Sequence, residues 1–360
     1  VIINFDGVDS FFYLWINGHY VGFSKNSRNT ASFDITKLLV EGENTVAVEV
    51  YRNSDASFLE SQDMFRLPGI IRSTYLTSRD PLHFDDLVVR ATMDGRVDIQ
   101  PKASGEGSIN YSVYPVELYG DKTGDAVTTA QCPSVSSTVL TIPSPKLWSA
   151  EAPHRYVLTA TLRDAQGAVH DVVSTYFGVR SVEIKNTEAK DDEFNLAGRY
   201  YYINDRPVKL KGVNRHETNL TTGHTIGRAQ MLEEVMLMKR GNINHVRLSH
   251  YSNDPYWYYL CDKYGLYLED ECNLESHQYY YGEASLSHPV EWKAAHVARN
   301  MELVHQHVNH PSIVIWSLGN EAGPGKNFVA AYEAIRQFDT SRPVQYERNN
   351  DIVDMGSNQY

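Results

Sequence analysis

The chain is 360 residues long, more than one ordinary domain holds, so it divides into two or three units that can each bury a core. Its net charge of −12 argues against nucleic acid or an anionic membrane as partner, and no apolar run reaches the length of a membrane span. Cys132, Cys261 and Cys272 are odd in number and lie at no metal-knuckle spacing, so they read as buried free thiols.

Val1-Ile-Ile-Asn-Phe5 already has strand character, with no initiator Met and no signal peptide before it, and the last ten residues read as the start of another strand. The expectation is an internal piece of a longer protein. From residue 1 to 81 the pattern is all β. Phe11-Phe-Tyr-Leu-Trp-Ile16 runs into Asn17-Gly18 and out through Tyr20-Val-Gly-Phe23, a strong signal for a tight hairpin. Val46, Val48 and Val50 alternate on one face of a strand over 45–51, and 33–39 reads as a short helical turn. A loop over 54–69, rich in acids and aromatics, is too long for a plain connector; loops of this length are usually functional or disordered.

A second β unit covers 82–183. Short strands over 87–92, 96–100, 108–114, 156–162 and 169–177, punctuated by Gly, Asp and Pro, fit an immunoglobulin-like sandwich. It gathers no catalytic residue types and reads as a spacer.

Over 184–360 the period changes, and strands alternate with amphipathic helices, as in a βα barrel or doubly wound sheet. Strands are predicted over 208–213, 243–248, 266–273, 313–318 and 344–347, with helices over 228–240, 255–264, 292–308 and 328–338. Four successive strands end in groups able to do chemistry: Asn214-Arg-His216-Glu217, Arg247-Leu-Ser-His250-Tyr, Asn273-Leu-Glu275-Ser-His277, and Asn320-Glu321. In a barrel the C-terminal strand ends face one pocket, so four such endings point to a shared site. The last is the sharpest, because Ile313-Val-Ile-Trp316 has the apolar, β-branched character of a doubly covered strand and delivers Glu321 to its rim. Glu275 and His277, two apart, point the same way if the backbone stays extended. Near a further Glu they suit Mg²⁺ or Mn²⁺ rather than Zn²⁺; a Glu-His hydrogen bond without metal is the alternative.

Val213-Asn-Arg-His-Glu217, Arg247-Leu-Ser-His-Tyr251, Leu260-Cys-Asp-Lys-Tyr-Gly-Leu-Tyr267, Asp270-Glu-Cys-Asn-Leu-Glu-Ser-His277 and Trp316-Ser-Leu-Gly-Asn-Glu321 closely resemble the bacterial β-galactosidases of glycoside hydrolase family 2. Phe5-Asp-Gly-Val8, Gln62-Asp-Met-Phe-Arg66 and Pro145-Lys-Leu-Trp-Ser149 extend the resemblance over the whole chain. It implies a multidomain β plus α/β architecture: part of a jelly-roll β-sandwich (1–81), an immunoglobulin-like β-sandwich (82–183) and an incomplete (β/α)8 TIM barrel (184–360).

The resemblance further implies a retaining glycosidase acting on terminal β-galactosides such as lactose, with two carboxylates roughly 5 Å apart. Glu321 matches the acid/base, and Asn320 a residue that binds the galactosyl 2-hydroxyl. His216 and His250 match histidines that grip galactose hydroxyls. Glu275, His277 and Glu321 match ligands of a Mg²⁺ ion, and Asp63 matches a residue that touches both galactose and a Na⁺ ion. A homo-oligomeric, cytoplasmic parent protein follows from the same likeness.

Two departures stand out. Gln278 follows His277 where the family commonly has Gly. The family's nucleophile is a Glu after a seventh strand, whereas this chain ends near its sixth; Glu347, after the fifth, sits in a Gln-Tyr-Glu setting that resembles a structural position. The piece alone is therefore expected to be inactive. Two rivals stay open: another activity of the same family, β-glucuronidase or β-mannosidase, and a non-catalytic carbohydrate-binding or assembly module.

Overall fold

The structure, a computed structural model, describes residues 1–191, 198–276, 284–347 and 353–357. Alternation builds the first sandwich. Strand Phe11–Ile16 pairs antiparallel with His19–Ser24 and Val46–Tyr51, and turns the corner at Asn17 (φ 51°) and Gly18 (φ 79°), the paired left-handed residues that a tight hairpin requires. Its inner face, Phe12, Leu14 and Ile16, packs on Ile3 and Phe5. Strand Ile2–Phe5 in turn pairs with Ala31–Asp34 and Thr74–Thr77. One expectation is corrected here. Phe33 and Asp34 belong to a strand, and only Thr36–Leu38 forms a helical turn. The Phe33 ring is held in the sandwich by Phe5 and Phe12, 6.4 and 6.0 Å between centroids.

The second sandwich has a three-stranded sheet, Phe84–Ala91, Arg96–Ala103 and Thr138–Thr141, and a four-stranded one, Ser108–Pro115, Thr128–Pro133, Tyr156–Arg163 and Val169–Phe177. Tyr156–Arg163 buries every second residue, as a strand facing a core on one side must. Strands Thr128–Pro133 and Thr138–Thr141 escaped the sequence reading because Thr and Gln obscure their alternation.

A hairpin, Val182–Thr187 with Gly198–Ile203, leads into the parallel sheet. That sheet runs in chain order through β1 (Gly212–Arg215), β2 (His245–Leu248), β3 (Tyr267–Glu271), β4 (Ile313–Ser317), β5 (Val344–Glu347) and β6 (Met355–Ser357). Helices α1 (Arg228–Arg240), α2 (Pro255–Tyr264), α3 (Lys293–His307) and α4 (Lys326–Phe338) connect β1 to β5. Parallel strands in sequential order with crossover helices form part of a TIM barrel. β1 begins later than expected: Gly212, not Val208, pairs first with His245 of β2. Helix α2 is fixed at both ends by its sequence. Asp254 caps the Tyr256 N–H, Pro255 opens the helix and Gly265 closes it in the left-handed region.

The two sandwiches meet opposite ends of this sheet. The second touches the bottom, where strands begin: Trp148 Nε1 donates to Asp262 O (2.9 Å), and Arg180 donates to Pro311 O and Ile313 O (both 2.6 Å). The long loop of the first touches the top, where strands end.

Candidate active site

All five residues of β4 are buried, so its polar payload begins only where the strand stops. Gly319 makes the turn at φ 147°; a Cβ there would sit 2.5 Å from Leu274 O, too close for any other residue. Asn320 N then donates to Leu274 O (3.0 Å), and Glu321 follows with φ 37°. The loop of the first sandwich joins the same row. Glu275 N donates to Leu59 O (2.7 Å) and Ser61 N to Glu275 O (2.9 Å), so Glu60, Glu275 and Asn320 lie side by side on three parallel segments.

Behind them is a buried charge network. Glu271, the last residue of β3, accepts from Arg247 Nε (2.8 Å) and Ser317 Oγ (2.6 Å), and its other oxygen is 2.6 Å from His250 Nδ1. Burial pushes the Glu271 carboxyl up, but Arg247, His250 and Ser317 outweigh it and hold it below its ordinary value. Arg247 also donates from Nη2 to Asn320 Oδ1 (2.9 Å), tying the ends of β2, β3 and β4 together. Glu275 has the opposite fate. Burial, then the charges of Glu271, Glu321 and Asp63, raise it to about 8 against the opposing hydrogen bond from Asn320.

His216 lies across from His250, rings 5.6 Å apart and nearly perpendicular, with its Nδ1 3.4 Å from the Tyr251 hydroxyl. Burial, reinforced by His250 and Arg28, pushes its pKa down and favours the neutral ring. Asp63 is exposed on the loop and lines, with Phe65, His216, Leu220 and His224, an open cleft of about 1230 Å³.

The fold thus gathers Asn320, Glu321, Glu275, His250, His216 and Asp63 at one end of the sheet. His277 lies outside the described residues, as do 278–282. Glu217 is turned elsewhere: it binds Arg72 at 2.6 Å and the Asp254 N–H at 2.8 Å, a structural brace. Glu347 is buried at the end of β5, and its charge helps to raise the pKa of Arg247. Glu271 was missed as a functional group because it sits inside the predicted strand over 266–273. The available signal was three acids, Glu269, Asp270 and Glu271, in a strand buried throughout. Asp270 points outward to Tyr258 (2.7 Å) and His307 (2.7 Å), and alternation sends its two neighbours inward.

Among the described residues no three His, Cys, Asp or Glu side chains converge closely enough to hold a metal ion by themselves. The chemistry of the donors nonetheless fits a hard divalent cation. Glu275 is buried among carboxylates whose repulsion such an ion would relieve.

Three family models match the chain: the glycosyl hydrolases family 2 sugar binding domain over residues 1–80, glycosyl hydrolases family 2 over 74–180, and the glycosyl hydrolases family 2 TIM barrel domain over 194–360. The chain belongs to glycoside hydrolase family 2. Among curated relatives, it is 40% identical over 363 residues to a β-galactosidase of Alteromonas mediterranea, covering 96% of this chain and 33% of that protein. It is also 40% identical over 389 residues to a β-galactosidase of Priestia megaterium, covering 100% of this chain and 36% of that protein. The chain spans about a third of the length of these relatives. Among solved structures, a β-glucuronidase from Ruminococcus gnavus in complex with D-glucaro 1,5-lactone superposes with a TM-score of 0.85 at 20% identity, covering 99% of this chain and 63% of that one. An FMN-binding β-glucuronidase from Facaelibacterium prausnitzii gives 0.82 at 22%, covering 96% and 53%. At that identity the likeness shows the fold and leaves the sugar open.

Proposed function

We propose that this chain is the acid/base half of a retaining β-galactosidase acting on terminal β-galactosides such as lactose. The observation that carries the reading is the convergence of Asn320 and Glu321 at the end of β4 with Glu275 and the Arg247–Glu271–His250 network. The β-galactosidase relatives at 40% identity favour galactose over glucuronate, since the β-glucuronidase likeness is one of fold alone.

Glu321 donates a proton to the glycosidic oxygen as the bond to the anomeric carbon breaks, and later takes a proton from the water that releases the sugar. A carboxylate carried outside these 360 residues forms the glycosyl-enzyme bond between the two steps. Asn320, its Oδ1 fixed by Arg247, offers its amide to the 2-hydroxyl, where contacts strengthen in the transition state. With His250 Nδ1 on Glu271, its Nε2 is left for a galactose hydroxyl, and the neutral His216 can donate or accept beside it. Glu275, His277 and Glu321 would hold Mg²⁺ or Mn²⁺, and Asp63 would take part in a Na⁺ site. Such a divalent ion, when bound, supplies positive charge beside the acid/base and keeps Glu275 ionised. The parent protein is proposed as a homo-oligomer. Three unpaired cysteines accord with a reducing cytoplasm, and among the described residues no helix is long and apolar enough to cross a membrane.

The test uses the full-length protein. It is expected to hydrolyse lactose and aryl β-galactosides in preference to β-glucuronides, and the 360-residue chain alone is expected to turn over neither. A preference for glucuronides would overturn the sugar assignment. Sugar binding without turnover by the full-length protein would favour the non-catalytic module.

A further inference from the structure

We propose that Glu60, in the loop of the first sandwich, is a positioning residue for the barrel site: it fixes the register in which residues 59–61 pair with Glu275, and through it the placement of Glu275 and Asp63. The proposal rests on the functional reading above. Glu60 is buried between the two units, and donors from three directions converge on it. Its Oε1 accepts from Arg299 Nη1 of α3 (2.6 Å), from Asn273 Nδ2 beyond β3 (3.0 Å) and from Ser27 N (3.2 Å), while its Oε2 accepts from Ser27 Oγ. Arg299 also donates to Asn273 O (2.8 Å) and to Lys25 O (2.8 Å), so one guanidinium binds the barrel rim, the loop and the first sandwich together.

The consequence lies on the neighbouring residues. Leu59 O and Ser61 N, on either side of Glu60, engage both the N–H and the C=O of Glu275 along one edge of its strand. Gln62 Nε2 donates to Asn273 Oδ1 (2.9 Å) and to His250 O (3.2 Å), extending the grip to the end of β2. Arg66 Nη1 reaches back to Glu60 O (3.1 Å) and closes the loop around Asp63. A one-residue slip would turn Glu60 away from Arg299, Asn273 and Ser27 and set a serine or leucine against Arg299. A buried carboxylate with four donors is a register lock that no apolar residue could provide, because the apolar residue would leave the buried Arg299 charge without its carboxylate partner. All of Glu60's acceptor capacity faces protein, so its effect on substrate is exerted through Glu275 and Asp63.

The experiment is steady-state kinetics of full-length Glu60→Gln, Arg66→Ala and Glu321→Gln on a chromogenic β-galactoside, with the unfolding midpoint of each measured alongside. Glu60→Gln is expected to raise KM at least fivefold with kcat within about threefold of the parent. Arg66→Ala, which truncates an exposed side chain, is expected to raise KM at least twofold at an unchanged midpoint. A purely structural role would move the midpoint and leave KM alone. Unchanged KM in whichever of these two variants is folded overturns the proposal. If Glu321→Gln keeps full activity, the acid/base reading fails instead, and the two failures are told apart.

Discussion

The two β-sandwiches have similar architecture, yet they meet the barrel at ends with different duties. The second grips the bottom through residues that serve cohesion: Trp148 is fully buried against Tyr267, and Arg180 binds carbonyls at the start of β4. The first sends a loop across the top, where Glu60 lies alongside Glu275 and Asp63 lines the cleft with His216. In a βα barrel the strand starts serve stability and the strand ends serve chemistry. The same kind of domain is therefore a foundation in one place and part of the candidate site in the other.

The sharpest way to break this contrast is at the top. Glu321→Gln removes the proposed proton donor and is expected to lower kcat/KM for lactose by roughly 10²- to 10⁴-fold, the usual worth of general acid catalysis. A dinitrophenyl galactoside, whose leaving group needs no proton, is expected to lose far less in its glycosylation step. Equal losses on both substrates would remove Glu321 from the acid role.

At the bottom the largest effect is on stability. Trp148→Ala empties a fully buried site and removes the bond to Asp262 O, and is expected to cost about 3–5 kcal/mol of unfolding free energy in denaturant titration. KM for galactosides is expected to stay at the parent value in the folded protein.

A smaller effect concerns Glu275. Its carboxyl is raised from 4.5 to about 8 in the fold, so its favourable contribution is full below about pH 4.5 and is lost as pH rises towards 8. Binding of Mg²⁺ at neutral pH is then expected to release up to one proton and to tighten as pH rises to about 8. Calorimetry in buffers of different ionisation enthalpy reads this directly, and Glu275→Gln is expected to abolish the proton release.

Much of this was legible in the sequence where local signals agree. The bounds of α1 and α2 emerged as predicted because Gly227 and Gly241 flank one and Asp254-Pro255 and Gly265 frame the other. Asn320 and Glu321 were visible because apolar β4 stops so abruptly. What stayed hidden depends on partners far apart in the chain. Nothing near Glu60 announces Arg299, 239 residues away, and nothing near Glu271 announces that Arg247, His250 and Ser317 will meet on it. The length of the loop over 54–69 hinted at a role, but only the fold shows it paired with the barrel rim.

The division of labour is tested most directly by measuring KM and unfolding free energy together in two full-length variants, Asp63→Ala at the top and Trp148→Ala at the bottom. Asp63 is exposed, so its removal is expected to cost far less stability than Trp148→Ala while raising KM for a β-galactoside severalfold. Trp148→Ala is expected to do the reverse. Loss of stability in Asp63→Ala with KM unchanged, or a raised KM in folded Trp148→Ala, would contradict the account.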